Sequence, residues 1–149
     1  MPSTIQLHRV LAAPPEKVYR AMTEADAISR WFPPNGFTCK VHALDVRVGG
    51  GYKMSFTNFT TGQTHSFSGK YAELRPNELL KYTDKFDDPN LPGEMHVTVT
   101  LKKVGAGTDL KITQEGVPDM IPADQCYLGW QESLNFLKLL VEPDIKDDL

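Results

Sequence analysis

The chain of 149 residues predicts an α+β fold: an antiparallel sheet of about seven strands, two short helices after the first strand, and a long C-terminal helix. Three observations carry that prediction. Two clipped amphipathic stretches between Ala12 and Phe32 separate one strand-like segment from a long run of others. From Phe37 to Ile112 apolar and polar residues alternate between turn-forming clusters, the pattern of half-buried strands joined by hairpins. From Pro122 to Val141 the apolar spacing becomes helical.

Thr4 to Leu11 reads as the first strand, with Ile5, Leu7 and Leu11 on one face. Pro14 and Pro15 suit the first turn of a helix, where a missing N–H costs nothing. Val18, Ala21 and Met22 then share one helical face. Thr23, with Asp26 three residues on, is expected to cap a second helix whose buried face holds Ile28, Trp31 and Phe32. Pro33-Pro34-Asn35-Gly36 ends it. A strand from Phe37 to Val48 follows, and Gly49-Gly50-Gly51 marks a turn or bulge. Tyr52, Met54 and Phe56 form the next one-faced set, Thr60 to Thr64 a hairpin turn, and His65 to Leu74 another strand. Leu79 to Phe86 places Leu80, Tyr82 and Phe86 together, and Asp87 to Gly93 is a polar loop. Val97, Val99 and Leu101 alternate toward the Gly105-Ala106-Gly107 turn, beyond which Leu110 and Ile112 continue the pattern. In the final helix Trp130, Leu134, Leu137 and Val141 form the apolar stripe, with Tyr127, Phe136 and Leu140 beside it. Glu142-Pro143 stops that helix, because a residue before proline avoids the helical region. Such a helix is about 30 Å long, and it is the one element able to cover the apolar face of the sheet.

The chain is read as one domain, residues 1–149, with a polar tail at 143–149. Hydrophobic residues make up 40% and charged residues 23%, and the net charge of −3 comes with no basic stripe, which argues against a nucleic-acid partner. No apolar run is long enough for membrane insertion. The start, MPSTIQLHRV, lacks a secretory pattern, and Cys39 and Cys126 form no disulfide framework, so a reduced, cytoplasmic setting is expected.

Five segments carry a resemblance: APPEKVYRAMTEADAISRWF, DVRVGGGYKMSF, FSGKYAELRPNELLKYT, VTVTLKKVGAGTDLKITQEG and GWQESLNFLKLLVE. In that order and spacing they resemble the START-related helix-grip superfamily (SRPBCC, or Bet v 1-like). Within it they resemble the family named after the C-terminal domain of the activator of heat-shock protein 90 ATPase. The resemblance implies a curved sheet gripping the long helix, with a cavity between them that the two short helices close at one end. It also implies a small apolar or amphipathic ligand, as relatives bind lipids, sterols, polyketides or hormones. A chaperone-interacting module and a cyclase- or hydrolase-like enzyme are the alternatives.

On that fold the cavity candidates are Trp31, Phe37, Met54, Phe56, His65, Phe67, Tyr82, Tyr127, Trp130 and Leu134. Each alone reads as core, since aromatic residues dominate core burial. As a set they read as the apolar wall of a ligand site, with Tyr82, Tyr127 and His65 as polar groups that could orient a guest. Gly129 inside the helix suggests close packing against it. Asp45 and Arg47 are expected to form an ion pair on one strand face. Cys39 and His42, three apart on a strand, point to opposite faces and are not expected to share a metal. Asp84, Asp87, Asp88 and Glu94 read as a solvated cluster, and no nucleophile motif, catalytic group or cofactor site is visible.

Overall fold

The computed structural model describes residues 2–147. Seven antiparallel strands form one sheet: β1 (Ser3–Leu11), β2 (Phe37–Leu44), β3 (Gly51–Asn58), β4 (Thr64–Arg75), β5 (Leu79–Phe86), β6 (Met95–Val104) and β7 (Gly107–Val117). Their spatial order is β1-β7-β6-β5-β4-β3-β2, so every neighbouring pair from β2 to β7 is a hairpin and β1 closes the far edge. Helices α1 (Pro15–Thr23) and α2 (Ala25–Trp31) follow β1, and α3 (Ala123–Val141) follows β7. Among the described residues no helix is long and apolar enough to cross a membrane.

Strand pairing sets the inner face of the sheet in rows. Leu7, Ile112, Val99 and Leu80 pair across β1, β7, β6 and β5. Ile5, Gln114, Val97, Tyr82 and Tyr71 form the next row and reach β4. Met54, Phe67 and Phe86 form a third row across β3, β4 and β5. Alternation puts these side chains on the same side, where Trp130, Leu134, Leu137 and Val141 of α3 are buried.

Polar contacts fix the helices in place. Trp31 Nε1 donates to Ala21 O at 2.8 Å and ties α2 to α1. Ser133 Oγ donates to Phe32 O at 2.7 Å and ties α3 to the end of α2. Arg9 on β1 bonds Gln131 and Asn135 of α3. At the other end of α3, Ala12 N donates to Glu142 Oε2 at 2.9 Å.

Three expectations change. Thr23 caps nothing: it ends α1, its hydroxyl bonds back to Tyr19 O at 2.9 Å, and Glu24 opens α2. A short threonine side chain at a helix end can satisfy the preceding carbonyl as readily as the next N–H. β2 ends at Leu44 instead of Val48, because residues 45–50 turn tightly, with Asp45 N donating to Gly51 O and Gly50 N to Arg47 O, each at 2.8 Å. The Asp45–Arg47 pair exists, Nε to Oδ2 2.7 Å, but it lies in this loop and not on a strand face. A Cβ at Gly50 would sit 2.4 Å from Asp45 O, which explains glycine there.

Candidate ligand cavity

An apolar cavity lies between the sheet, the end of α2 and the first half of α3. Met22, Ile28, Trp31 and Phe32 close it from the helix side, Trp130 from α3, and Tyr52, Met54, Tyr71, Leu80, Tyr82, Val99 and Ile112 from the sheet. The space open to the centre of a water molecule is about 40 Å³. A water needs roughly 10–15 Å³ by that measure, so the cavity has room for about three, or for one compact guest.

Phe32 is the aromatic hub of the helix side. Its ring meets Trp31, Phe56, Phe67 and Trp130 edge-on at centroid distances of 5.3, 5.6, 6.2 and 5.8 Å. The sheet side has its own cluster. Tyr52, Tyr71 and Tyr82 pack on one another at 5.8–6.1 Å.

A carboxylate adjoins this cluster. Asp84 shares the strand face of Leu80, Tyr82 and Phe86 and pairs with Met95 across β5 and β6. The Tyr52 hydroxyl lies 2.9 Å from Asp84 Oδ1 and 3.0 Å from Thr83 O, and its single proton serves both. Tyr52 reaches β5 because its partner on β4 is Gly69. A Cβ at Gly69 would lie 1.8 Å from Thr83 O and 2.7 Å from the Tyr52 hydroxyl. Glycine therefore opens the path along which the Tyr52 side chain crosses β4.

Burial pushes the Asp84 carboxyl up to about 7, against the lowering effect of hydrogen bonds from Tyr52 and the Lys85 backbone. Burial first, and then the charge of Asp84, push the hydroxyls of Tyr52 and Tyr82 far above the ordinary tyrosine range. Tyr71 rises to about 12, mainly by burial. These tyrosines are neutral donors at any physiological pH.

A second polar station lies nearby. Gln114 Oε1 accepts from Trp130 Nε1 at 2.7 Å and from Cys126 Sγ at 3.5 Å, and its Nε2 approaches Met95 Sδ at 3.2 Å. Burial, and then the charge of Asp84, raise the Cys126 thiol, and burial alone raises Cys39 to about 11. Both sulfurs are therefore protonated and poor nucleophiles.

Of the residues expected at the site, Trp31, Met54, Tyr82 and Trp130 line the cavity. Phe67 and Leu134 are buried in the core beside it. Phe56 is half-buried against Phe67, and Phe37 is half-buried against Phe56. His65 is exposed: it shares parity with Phe67 but pairs with Phe56 near the start of β4, and parity does not bury a residue at a strand end. Tyr127 is 43% exposed, because Cys126, four residues before Trp130, is the residue that α3 turns toward Gln114. Asp84 is not a member of a solvated cluster, since its strand parity turns it inward and away from Asp87 and Asp88, which are exposed. Gly129 packs against nothing: a Cβ there would find no atom within 4 Å. Sequence reasoning also passed over Tyr52, Tyr71 and Gln114 as site residues. His42 and Cys39 stay apart, and His42 Nε2 bonds Ser55 Oγ at 2.8 Å.

A curved antiparallel sheet wrapped on one long helix, with two short helices closing the end of the interior, defines a helix-grip protein of the SRPBCC type. A family model described as "Activator of Hsp90 ATPase homolog 1-like protein" matches residues 12–142, and the chain belongs to that family. The crystal structure of a protein from Chromobacterium violaceum is similar at 58% identity, with 97% of this chain and all of that one covered, and a TM-score of 0.95. Proteins from Rhodobacter sphaeroides (22% identity, 92% and 90% covered, TM-score 0.82) and Staphylococcus epidermidis (19%, 100% and 95%, 0.81) share the fold. Comparison with curated proteins finds no match.

Proposed function

We propose that the protein, as one helix-grip domain in the cytoplasm, binds a small, largely apolar molecule between the sheet and α3. The observation that supports this reading most is the aromatic cavity beside Trp130. Its size bounds the guest. Ordinary drug-sized sites span roughly 300–1,000 Å³, so this cavity suits a single ring or short chain and not a sterol or long acyl chain. Apolar burial at roughly 25 cal/mol per Å² supplies the driving force. An NMR titration of the whole protein with benzyl alcohol tests the reading. Shifts concentrated on Trp31, Tyr82, Val99 and Trp130 support it, and shifts that are absent or scattered over the surface defeat it.

A second reading, contact with a chaperone, is favoured by Met120, Tyr127 and Leu128. These three apolar side chains are 67%, 43% and 51% exposed around the start of α3. The family's name suggests the partner, a heat-shock protein 90 ATPase. Stimulation of that ATPase by the wild-type chain, reduced by Leu128→Ser, supports this reading; an unchanged rate removes it.

A further inference from the structure

The cavity has one ionisable carboxyl beside it, and the surroundings of that carboxyl restrict what the cavity accepts. Asp84 lies on the inner face, flanked by Tyr82 on its own strand and by Tyr52 across Gly69. Its surface is only partly covered, and Tyr52 and Tyr82, which flank it, both line the cavity. Among the described residues it has no lysine, arginine or histidine partner, and the groups that act on it or feel its charge are Tyr52, Tyr82, Cys126 and the Lys85 backbone. An ionised carboxylate has about four lone-pair positions, and one shared hydroxyl and one N–H leave some of them open.

We propose that Asp84, oriented by Tyr52, is the anchor for a basic nitrogen bearing at least one N–H, so that the cavity selects small apolar amines over alcohols and carboxylic acids. This rests on the ligand-binding reading above. The protonated amine supplies the countercharge that Asp84 lacks among the described residues, and a charge-assisted hydrogen bond is the strong kind. Tyr82 and Tyr52 add ring faces that favour a cation. A carboxylate guest would meet Asp84 with no cation between them. A trimethylammonium group has no N–H for Asp84.

Benzylamine, benzyl alcohol and benzoate form a matched set of probes of nearly equal size. Each is titrated at pH 8 into wild-type protein and Asp84→Asn, followed by tryptophan fluorescence from Trp31 and Trp130. The expected order in the wild type is benzylamine, then benzyl alcohol about ten-fold weaker, then benzoate, one charge-assisted hydrogen bond being worth about that factor. Asp84→Asn is expected to remove the amine's advantage while leaving the alcohol unchanged. That second arm also separates the anchor from general attraction of a cation to an acidic protein. Alcohol or acid binding at least as tightly as the amine overturns the anchor and leaves the cavity reading intact. So does an unchanged amine preference in Asp84→Asn. Failure of all three probes to bind defeats the cavity reading and the anchor with it. The wild-type ranking needs no variant and stays decisive if Asp84→Asn does not fold.

Discussion

Gln114 and Asp84 share the inner face of the sheet, two strands apart, with Met95 in touch with both, and their surroundings differ sharply. Gln114 is 6% exposed and each of its amide atoms has a partner. Its bonds to Trp130 and Cys126 pin the first half of α3 to β7. Asp84 receives one shared hydroxyl and a backbone N–H, and among the described residues no cation. A buried polar group whose bonds are complete contributes to architecture. A charge left without its counterpart costs stability and is where a fold holds something in reserve for a ligand. The contrast separates the part of this interior whose polar bonds are complete from the part where a charge is left uncompensated among the described residues.

Gly69→Ala is the harshest way to break the contrast. The new methyl would overlap the Thr83 carbonyl at 1.8 Å, which is backbone and cannot step aside. Overpacking of this kind costs about 3 kcal/mol or more. It also forces the Tyr52 hydroxyl from Asp84, so the loss of stability should come with a loss of the Tyr52–Asp84 hydrogen bond, read by chemical denaturation and by NMR of the tyrosine hydroxyl. A variant as stable as wild type would show that the Tyr52 crossing is dispensable.

Gln114→Leu tests the other station. The side chain keeps its bulk but leaves the Trp130 indole N–H without an acceptor, and an orphaned buried donor costs about 2 kcal/mol. The loss should be the same at every pH, because no titrating group is removed. Urea denaturation at several pH values checks both statements. A loss that varies with pH would mean that the two stations are coupled through Met95 and Cys126.

Most of the grip was legible before any coordinates. Period-two alternation from Phe37 onward places Met54, Phe67, Tyr82, Val97 and Ile112 on one face, and all of them lie in the interior. Trp130, Leu134, Leu137 and Val141 repeat at helical spacing and are all buried. The site was less legible, for a physical reason. Asp84 alternates correctly with Leu80, Tyr82 and Phe86, so its parity already turned it inward; its nearness in sequence to Asp87 and Asp88 outweighed that signal. His65 and Tyr127 failed in the opposite sense. Each has the right period, but period fixes direction and not the extent of cover, and both lie near element ends. The Tyr52–Gly69–Asp84 arrangement depends on strand pairing, which no single segment encodes. Gly129 shows the reverse limit, since a glycine in a helix gave no sign that it faces open space.

Asp84→Asn is the gentlest change and the most discriminating, because its sign should reverse the usual expectation for removing a hydrogen-bonded side chain. The Asp84 carboxyl titrates near 7 when folded, against 3.8 as its ordinary value. Between those values the folded state holds the extra proton, so wild-type stability is full below the lower value and falls as pH rises through the upper one. A shift of that size could amount to about 4 kcal/mol, but partial solvent access lowers it, and a cost of about 1–2 kcal/mol above pH 8 is expected. Asparagine keeps an oxygen for the Tyr52 hydroxyl and removes the charge. The variant should therefore be more stable than wild type at pH 8.5 by about that amount, and the gap should close by pH 4.5. Parallel denaturation curves at the two pH values measure it. A variant that is less stable at both would mean that Asp84 is compensated within the fold, as Gln114 is, and has no charge in reserve for a guest.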